Sequence, residues 1–225
     1  MVPIPPAVDG RHPGWPAHLG PLRVPAGTVA LRPVRLRDAA AWSAVRIRDE
    51  HHLAPWEPSM PGTWEQRHAA GEWPVRWMSL RSAGRRGAAL PFAVTLDGRF
   101  VGHVMVGNVV REPLLSAYVG YWVDARVTGG GVITAAVALA VDHCFGVVGL
   151  HRLEATVRPE NAASLRVLAK LGFRLEGLFR RYLDVDGAWR DHQCFAMTAE
   201  ELPPGGLVGR LIAHGRAERT RVQPG

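Results

Sequence analysis

The stretch from residue 118 to residue 173 constrains the fold of this chain more than any other part of it. Residues 118–123 are dense in β-branched and aromatic side chains, which predicts a strand. Glycines 129–131 follow, and residues 132–145 contain neither Pro nor Gly and have the length of a helix. A helix that begins at a glycine turn directs unpaired N–H groups and partial positive charge outward, so this turn predicts a phosphate-binding site.

Two better-known phosphate loops do not fit this turn. A P-loop ends in Gly-Lys-Ser/Thr, whereas the chain's single lysine, Lys170, lies far from the glycines. A dinucleotide fingerprint needs a third glycine where Thr134 stands and an acid at the end of the next strand, but Glu154 is near the start of that strand. A glycine loop that only joins packed elements is the remaining alternative.

The downstream half adds a second strand, a helix and a hairpin. Residues 151–157 alternate like a strand, and Asn161 stands where a helix N-cap belongs. Leucines recur at helical spacing after it, and Gly172 fits a C-terminal cap. Asp186-Gly187 is a strong hairpin signal between the predicted strands 173–185 and 188–198.

Before the glycine turn, the pattern predicts one strand and two helices. We expect the strand at residues 28–35, the first helix at 35–49 and the second at 63–81, interrupted at Pro74.

These residues and their spacing resemble the GNAT acetyltransferases. The resemblance covers residues 28–200 and rests on the glycine turn and on Asn-x-x-Ser-x-x-x-Leu-x-x-Leu-Gly-Phe from Asn161. Within this family, the residues most resemble the RimJ/RimL type, which acetylates the N-terminal α-amine of ribosomal proteins. The marks of that type are the segments 55–58, 107–111, 171–177 and 186–192.

The resemblance implies an α+β fold of three layers, with a mixed central sheet of about seven strands flanked by about four helices. It places one acetyltransferase domain at residues 28–200. Residues 1–27, rich in Pro and Gly, are expected to be a flexible arm. Residues 201–225 are expected to be a basic tail.

The resemblance also implies acetyl-CoA as a substrate cofactor, with no metal. Thr128 and Ile133 depart from the family pattern at the glycine turn, but backbone N–H groups carry most of the expected phosphate binding. The expected cofactor-binding residues are Trp122, Val123, Arg126, Val127, Thr128, Gly129, Gly130, Gly131, Val132, Ile133, Thr134, Asn161 and Ser164.

By the same resemblance, Asn161 orients the arm of acyl-CoA and Ser164 protonates the departing thiolate. The strand before the turn lacks the Glu that many members use as a base, so the base stays open. Glu57 and Tyr182 complete the predicted catalytic set, and Asp191 and His192 are further candidates. An ordered water can also suffice, because an α-amine has a pKa of about 7.7–8.0 against about 10.4 for lysine.

The resulting hypothesis is an N-acetyltransferase in which a primary amine, most simply a protein N-terminus, attacks the thioester directly. Two alternatives stay open: a small-molecule acetyltransferase for an antibiotic, polyamine or amino acid, and a non-catalytic acyl-CoA-binding or ribosome-associated module. The expected partners are a ribosomal protein or the ribosome, and the expected assembly is a monomer or homodimer.

Composition agrees with one cytoplasmic domain. The 225 residues are 47% hydrophobic, no run approaches a membrane span, and two distant cysteines suggest no disulfide framework. The net charge of +7 is compatible with a nucleic-acid partner. The arginines, however, are spread along the whole chain rather than clustered in one basic patch.

Direct transfer makes a prediction about both cysteines. Cys144→Ala and Cys194→Ala should each keep most of the turnover with acetyl-CoA and an acceptor amine, because no covalent enzyme intermediate is needed. Steady-state assays together with circular dichroism check this. Loss of turnover in a folded variant would contradict the direct-transfer scheme.

Overall fold

One mixed sheet forms the centre of the described part of the chain, residues 14–220 of a computed structural model. Its nine strands are β1 (Leu19–Val24), β2 (Gly27–Pro33), β3 (Leu90–Leu96), β4 (Arg99–Val110), β5 (Ser116–Val123), β6 (Arg152–Val157), β7 (Arg174–Val185), β8 (Ala188–Thr198) and β9 (Glu218–Arg219). Their order across the sheet is β7-β8-β6-β5-β4-β3-β2-β1-β9. Each neighbouring pair is antiparallel except β5 and β6, which are parallel.

Helices cover both faces of this sheet. They are α1 (Ala39–Arg48), α2 (Glu50–Leu53), α3 (Trp64–His68), α4 (Trp73–Arg85), α5 (Val132–His143), α6 (Ala162–Leu171) and α7 (Gly206–Ala213). Neighbouring residues of β3 point to opposite faces, so Phe92 joins the core that contains α5, whereas Ala93 packs with Trp42 and Trp73 from the N-terminal helices. The three predicted layers follow from this alternation.

The apolar sequence of α5 reflects burial on nearly all sides. Its residues Ala135–Ala138, Ala140 and Val141 are fully buried, because the helix packs on β1, β2 and β5 and is covered by α7. The small alanines let the helix lie close to the sheet. Burial of α5 therefore fixes where its N-terminus, at the glycine turn, meets the end of β5.

The parallel pair β5–β6 is short, and this opens the sheet. The two strands pair at three positions, Ser116–Arg152, Ala117–Leu153 and Tyr118–Glu154. Beyond them β5 continues to pair with β4 as far as Val123, and β6 continues to pair with β8 as far as Val157. The carboxyl ends of β5 and β6 therefore diverge and leave a splay between them.

The described residues correct the predicted domain boundaries. Residues 19–24 of the expected flexible arm form β1, because Leu22 and Val24 alternate inward and are buried. In the expected basic tail, residues 206–213 form α7, and β9 pairs with β1. These elements were not predicted, because both segments are rich in Pro and Gly, which is typical of loops. Residues 1–13 and 221–225 lie outside the described part of the chain.

The element count and some element bounds also differ from the expectation. Residues 14–220 contain nine strands and seven helices rather than about seven and four. The second predicted helix is divided at residues 69–72, not at Pro74, because Pro74 occupies the first turn of α4, where its missing N–H costs nothing. A π-helical turn, Cys144–Val148, follows α5.

Asp142 ties α7 to the rest of the domain. Its carboxylate accepts hydrogen bonds from the backbone N–H groups of Leu207 at 2.7 Å and Val208 at 3.0 Å, which are two of the unpaired donors at the start of α7. The side chains of Leu207 and Leu211, on the inner face of the helix, are buried.

Asp142→Ala should lower the free energy of unfolding by about 1–2 kcal/mol, because it leaves these N–H groups without their acceptor. Urea denaturation checks this, and kcat should not change. Asp142→Asn, which keeps one acceptor oxygen, should give an intermediate value. Equal stability of the Ala variant and the parent would show that this cap does not hold α7.

Candidate active site

A cleft of ≈ 620 Å³ lies at the splay of β5 and β6. It brings together most of the predicted site residues: Glu57, Trp122, Val123, Val127, Thr128, Gly129, Gly131, Val132, Ile133, Thr134, Asn161 and Ser164. Arg126, Gly130 and Tyr182 do not line it. The cleft therefore unites the glycine turn, the start of α6 and a segment that follows α2.

The glycine turn has the backbone geometry of a phosphate cradle. Gly129 and Gly131 have φ of 79° and 83°, in the left-handed region, and Gly131 is the N-cap of α5. The first intrahelical bond runs from the N–H of Ala135 to the carbonyl of Gly131. The N–H groups that precede Ala135 therefore lack a helical acceptor. They fit the pyrophosphate of a CoA ester, for which the helix dipole adds favourable charge.

Three predicted residues of this turn have other contacts in the structure. A Cβ on Gly130 would lie 2.5 Å from the Cβ of Ala26, so this glycine permits packing on the β1–β2 turn. Arg126 is exposed, and its backbone N–H donates to Asp124 at 2.8 Å. Thr128 does line the cleft, but its hydroxyl donates to the carbonyl of Ala125 at 2.8 Å.

The turn is anchored to the N-terminal helices by a buried carboxylate. Asp49 accepts from the backbone N–H of Ala125 at 2.8 Å and from Arg48 at 2.7 Å. Arg48 also pairs with Asp124. The contacts with Arg48 and Ala125 hold the pKa of Asp49 below its usual value despite burial. The position of the cradle thus depends on the C-terminal end of α1.

Asn161 and Ser164 occupy the predicted positions at the start of α6. The side chain of Asn161 accepts from the backbone N–H of Ser164 at 3.0 Å, so Asn161 is the N-cap of the helix. Its amide oxygen is therefore engaged within the helix cap. If Asn161 orients the arm of acyl-CoA as predicted, it would do so through its amide nitrogen or through the geometry of the cap.

Tyr121 is a site residue that the sequence analysis missed. Its hydroxyl lies 2.9 Å from Oγ of Ser164, across the splay from β5 to α6. Burial raises the pKa of Tyr121 to about 12, so the phenol keeps its proton at neutral pH. The two hydroxyls form a pair from which a proton can be donated. Tyr121 lies in the predicted strand, three residues after Tyr118, but the pattern does not show that α6 crosses it.

Glu57 lines the cleft from the segment that follows α2. It follows α2 and a 3₁₀ turn at Ala54–Trp56, and its side chain pairs with Arg46. Arg46 is itself buried, and its guanidinium stacks between Trp64 at 4.6 Å and Trp122 at 5.1 Å. Among the described residues, Glu57 is the one carboxylate that lines the cleft.

The buried imidazole of His68 supports this ion pair. Its Nε2 lies 2.8 Å from the guanidinium of Arg46, and its Nδ1 lies 2.7 Å from the carbonyl of Trp64. Burial, and then the charge of Arg46, lower the pKa of His68 to about 4. The ring is therefore neutral at pH 7 and does not compete with Arg46 for the carboxylate of Glu57.

The hairpin candidates for the base lie away from the cleft. Tyr182 is 45% exposed and contacts Phe179 and His192, because the β7–β8 register shifts between Phe179 and Leu183. Asp191 accepts from the backbone N–H of Arg181 at 2.8 Å, and His192 is buried. The structure therefore does not bring Tyr182 into the predicted catalytic set.

Other cleft residues were also missed from the sequence. They are His52, Leu53, Trp56, His103, Met105, Gly120, Ala163, Arg166, Val167 and Lys170. Their positions follow from how α2, β4 and α6 meet, which no single motif reports.

Between residues 14 and 220 there is no group of three or more His, Cys, Asp or Glu side chains that could hold a metal ion. No helix in the same range is long and apolar enough to cross a bilayer.

A protein-family model described as an acetyltransferase (GNAT) domain matches residues 28–174, more than half of the chain. The chain belongs to the GNAT acetyltransferase family. It is similar to RimJ of Mycobacterium smegmatis, solved in complex with CoA-disulfide, with 59% identity and a TM-score of 0.91; the match covers 93% of this chain and 100% of that one.

Two curated relatives are also similar to this GNAT chain. The ribosomal protein uS5-alanine N-acetyltransferase of Escherichia coli (strain K12) is 29% identical over 194 residues, 85% of this chain and 98% of that protein. The probable N-acetyltransferase YjcK of Bacillus subtilis (strain 168) is 43% identical over 101 residues, 45% of this chain and 56% of that protein. The predicted fold class, the resemblance to the RimJ/RimL type and the enzyme class of N-acetyltransferase are confirmed.

The Ser164–Tyr121 pair makes a kinetic prediction. Ser164→Ala should lower kcat by on the order of 10²-fold, and Tyr121→Phe by about 10-fold, because the first removes a proton donor and the second its oriented partner. The affinity for acetyl-CoA should stay within a factor of about three, since the glycine turn is intact.

Steady-state kinetics, which gives kcat, and calorimetry, which gives the affinity for acetyl-CoA, check this prediction. Tyr118→Phe is the matched control, because this strand tyrosine is 46% exposed and does not line the cleft. Unchanged kcat in both Ser164→Ala and Tyr121→Phe would show that the thiolate leaves without help from this pair.

Proposed function

We propose that this GNAT acetyltransferase acetylates the N-terminal α-amine of a protein, with a ribosomal protein as the natural acceptor. The observation that carries the proposal is that one cleft is lined by the Ser164–Tyr121 hydroxyls, the glycine turn and the carboxylate of Glu57. In this proposal Ser164, Tyr121 and the glycine turn form the donor wall, and the segment with Glu57 forms the acceptor wall. The similarity to RimJ and to the uS5-alanine N-acetyltransferase supports this choice of acceptor.

Acetyl-CoA, when bound, supplies the acetyl group as a thioester. The N–H groups at the glycine turn and the start of α5 hold its pyrophosphate, and the start of α6 faces its acyl end. The reaction forms an N–C bond and breaks the C–S bond, so one proton must leave the amine and one must reach the sulfur. Ser164 with Tyr121 donates the second proton, and Glu57, directly or through a water, receives the first.

The electrostatics of the acceptor wall favour an α-amine over a lysine side chain. The carboxylate of Glu57 is already paired with Arg46, which offsets its attraction for a cationic acceptor. An α-amine, with a pKa of about 7.7–8.0, needs less help to lose its proton than lysine at about 10.4. Arg76, which is close enough to interact with the charges of Arg46 and Glu57, adds positive charge here and disfavours a cationic ammonium.

A cytoplasmic location is part of this proposal, because that is where a ribosomal protein presents its N-terminus. Two other outcomes would replace this proposal: transfer to a small-molecule amine, or binding of acyl-CoA without transfer.

The test is mass spectrometry after incubation of the protein and acetyl-CoA with two peptides. One has a free N-terminal Ala or Ser, and the other has a blocked N-terminus and an internal Lys. We expect one added acetyl group on the first peptide and none on the second. Acetylation of the lysine peptide alone would overturn the proposal.

A result with no product on either peptide also decides against the proposal if acetyl-CoA binding is confirmed. A panel of small amines then separates the remaining cases. Transfer to an amine identifies a small-molecule enzyme, and binding without thiol release identifies a sensor. Ser164→Ala serves as the control for non-enzymatic acetylation.

A further inference from the structure

The segment at residues 55–59, the acceptor loop, carries Trp56 and Glu57 into the cleft and is held at both of its ends as well as at Glu57. At its end, Ser59 bonds Asp184 of the β7–β8 hairpin through its backbone N–H at 2.9 Å and its hydroxyl at 2.7 Å. Pro58 also forms a β-bridge with Val185. At its start, the acceptor loop is held by Arg158, which no motif in the sequence singled out.

Arg158 makes two contacts with the acceptor loop. Its Nη1 donates to the carbonyl of Pro55 at 2.9 Å, and its guanidinium carbon lies 5.4 Å from the centroid of the Trp56 ring. Its Nε also donates to Glu160 at 3.2 Å, and its side chain is 13% exposed. A planar guanidinium with several donors suits this arrangement, because it can stack and hydrogen-bond at the same time.

The backbone of Arg158 contacts the N-cap of α6. Its carbonyl accepts from the N–H of Asn161 at 2.9 Å, and Asn161 caps the helix that carries Ser164. One residue thus touches the acceptor loop with its side chain and the α6 cap with its main chain. A change of side chain leaves the main-chain contact in place.

We propose that Arg158 is a positioning residue that fixes the acceptor loop against the cap of α6 and so sets the separation between Glu57 and the Ser164–Tyr121 pair. This inference rests on the proposed division of the cleft into a donor wall and an acceptor wall. Displacement of a reacting group by about 1 Å can cost on the order of 10²-fold in rate, so a change in this clamp should be visible in kinetics.

The first test is Arg158→Met, which keeps an unbranched stem but removes the guanidinium. We expect kcat/KM for the acceptor amine to fall at least about 10-fold, while the dissociation constant of acetyl-CoA stays within about two-fold. Arg158→Lys should be intermediate, because an ammonium can bond the carbonyl of Pro55 but cannot stack as a plane on Trp56.

A matched control separates positioning from general stability. Arg111 also donates through Nη1 to a backbone carbonyl, that of Val148 at 3.0 Å, but this carbonyl belongs to the π-helical turn after α5 and not to the acceptor loop. Arg111→Met should lower the melting temperature without a change in kcat/KM. If Arg158→Met lowers acetyl-CoA affinity in parallel with acceptor turnover, or leaves acceptor kcat/KM unchanged, the inference is wrong.

A double variant tests whether Arg158 acts through the acceptor loop. Trp56→Leu and Arg158→Met should be non-additive, with a combined loss smaller than the product of the single losses, because both release the same segment. Independent, multiplicative losses would contradict a shared role.

A readout that needs no turnover keeps this inference separate from the proposed function. Hydrogen exchange of residues 57–59 should accelerate in Arg158→Met and not in Arg111→Met, whichever amine the protein acetylates. If the parent protein acetylates no peptide, the kinetic tests use the amine that it does acetylate. Unchanged exchange at residues 57–59 would refute the clamp even if the proposed acceptor is correct.

Discussion

The short parallel contact between β5 and β6 is the constraint on which the active-site cleft depends. After the pair Tyr118–Glu154 the two strands diverge, because each keeps its other neighbour, β4 or β8, to its end. Backbone polar groups at the opening are then available to a ligand rather than to a sheet partner. The cleft forms at this point, where the ends of β5 and β6, the start of α5 and the start of α6 converge.

The rigid parts of the molecule hold this opening in place. The helix α5 is buried on the sheet along most of its length, so the N–H groups at its start cannot turn away from the cleft. Asp49 attaches the preceding turn to the end of α1 through Ala125. The phosphate cradle is therefore positioned by the core on one side and by a buried carboxylate on the other.

The acceptor wall is built differently, from a loop with side-chain anchors. Arg46 holds Glu57, Arg158 holds Pro55 and Trp56, and the β7–β8 hairpin holds Ser59. Contacts of this kind can change residue by residue without disturbing the sheet. In the proposed mechanism, donor binding and acceptor choice are supported by separate parts of the structure, which would be a physical reason why one fold can serve several amines.

Much of the fold and many of the residues that line the cleft could be predicted from the sequence. Periodicity placed β5, α5, β6, α6 and the β7–β8 hairpin, since local spacing and turn residues report local structure. Asn161 and Gly172 were identified as caps from residue type alone, and both occupy those positions. The elements β1, α7 and β9 were not found, because the segments that contain them are rich in Pro and Gly, which is typical of loops. The strands β3 and β4 were not predicted either.

The sequence by itself determined the glycine turn, the order of the elements from β5 to β8 and the family. Only the tertiary structure decided which distant side chains share the cleft: it paired Tyr121 with Ser164, placed Arg46 behind Glu57 and kept Tyr182 on the hairpin away from both. The physical reason is that spacing along a chain specifies hydrogen bonding within a few residues. Contacts between β5, α6 and the acceptor loop depend instead on how the layers pack and where two strands part.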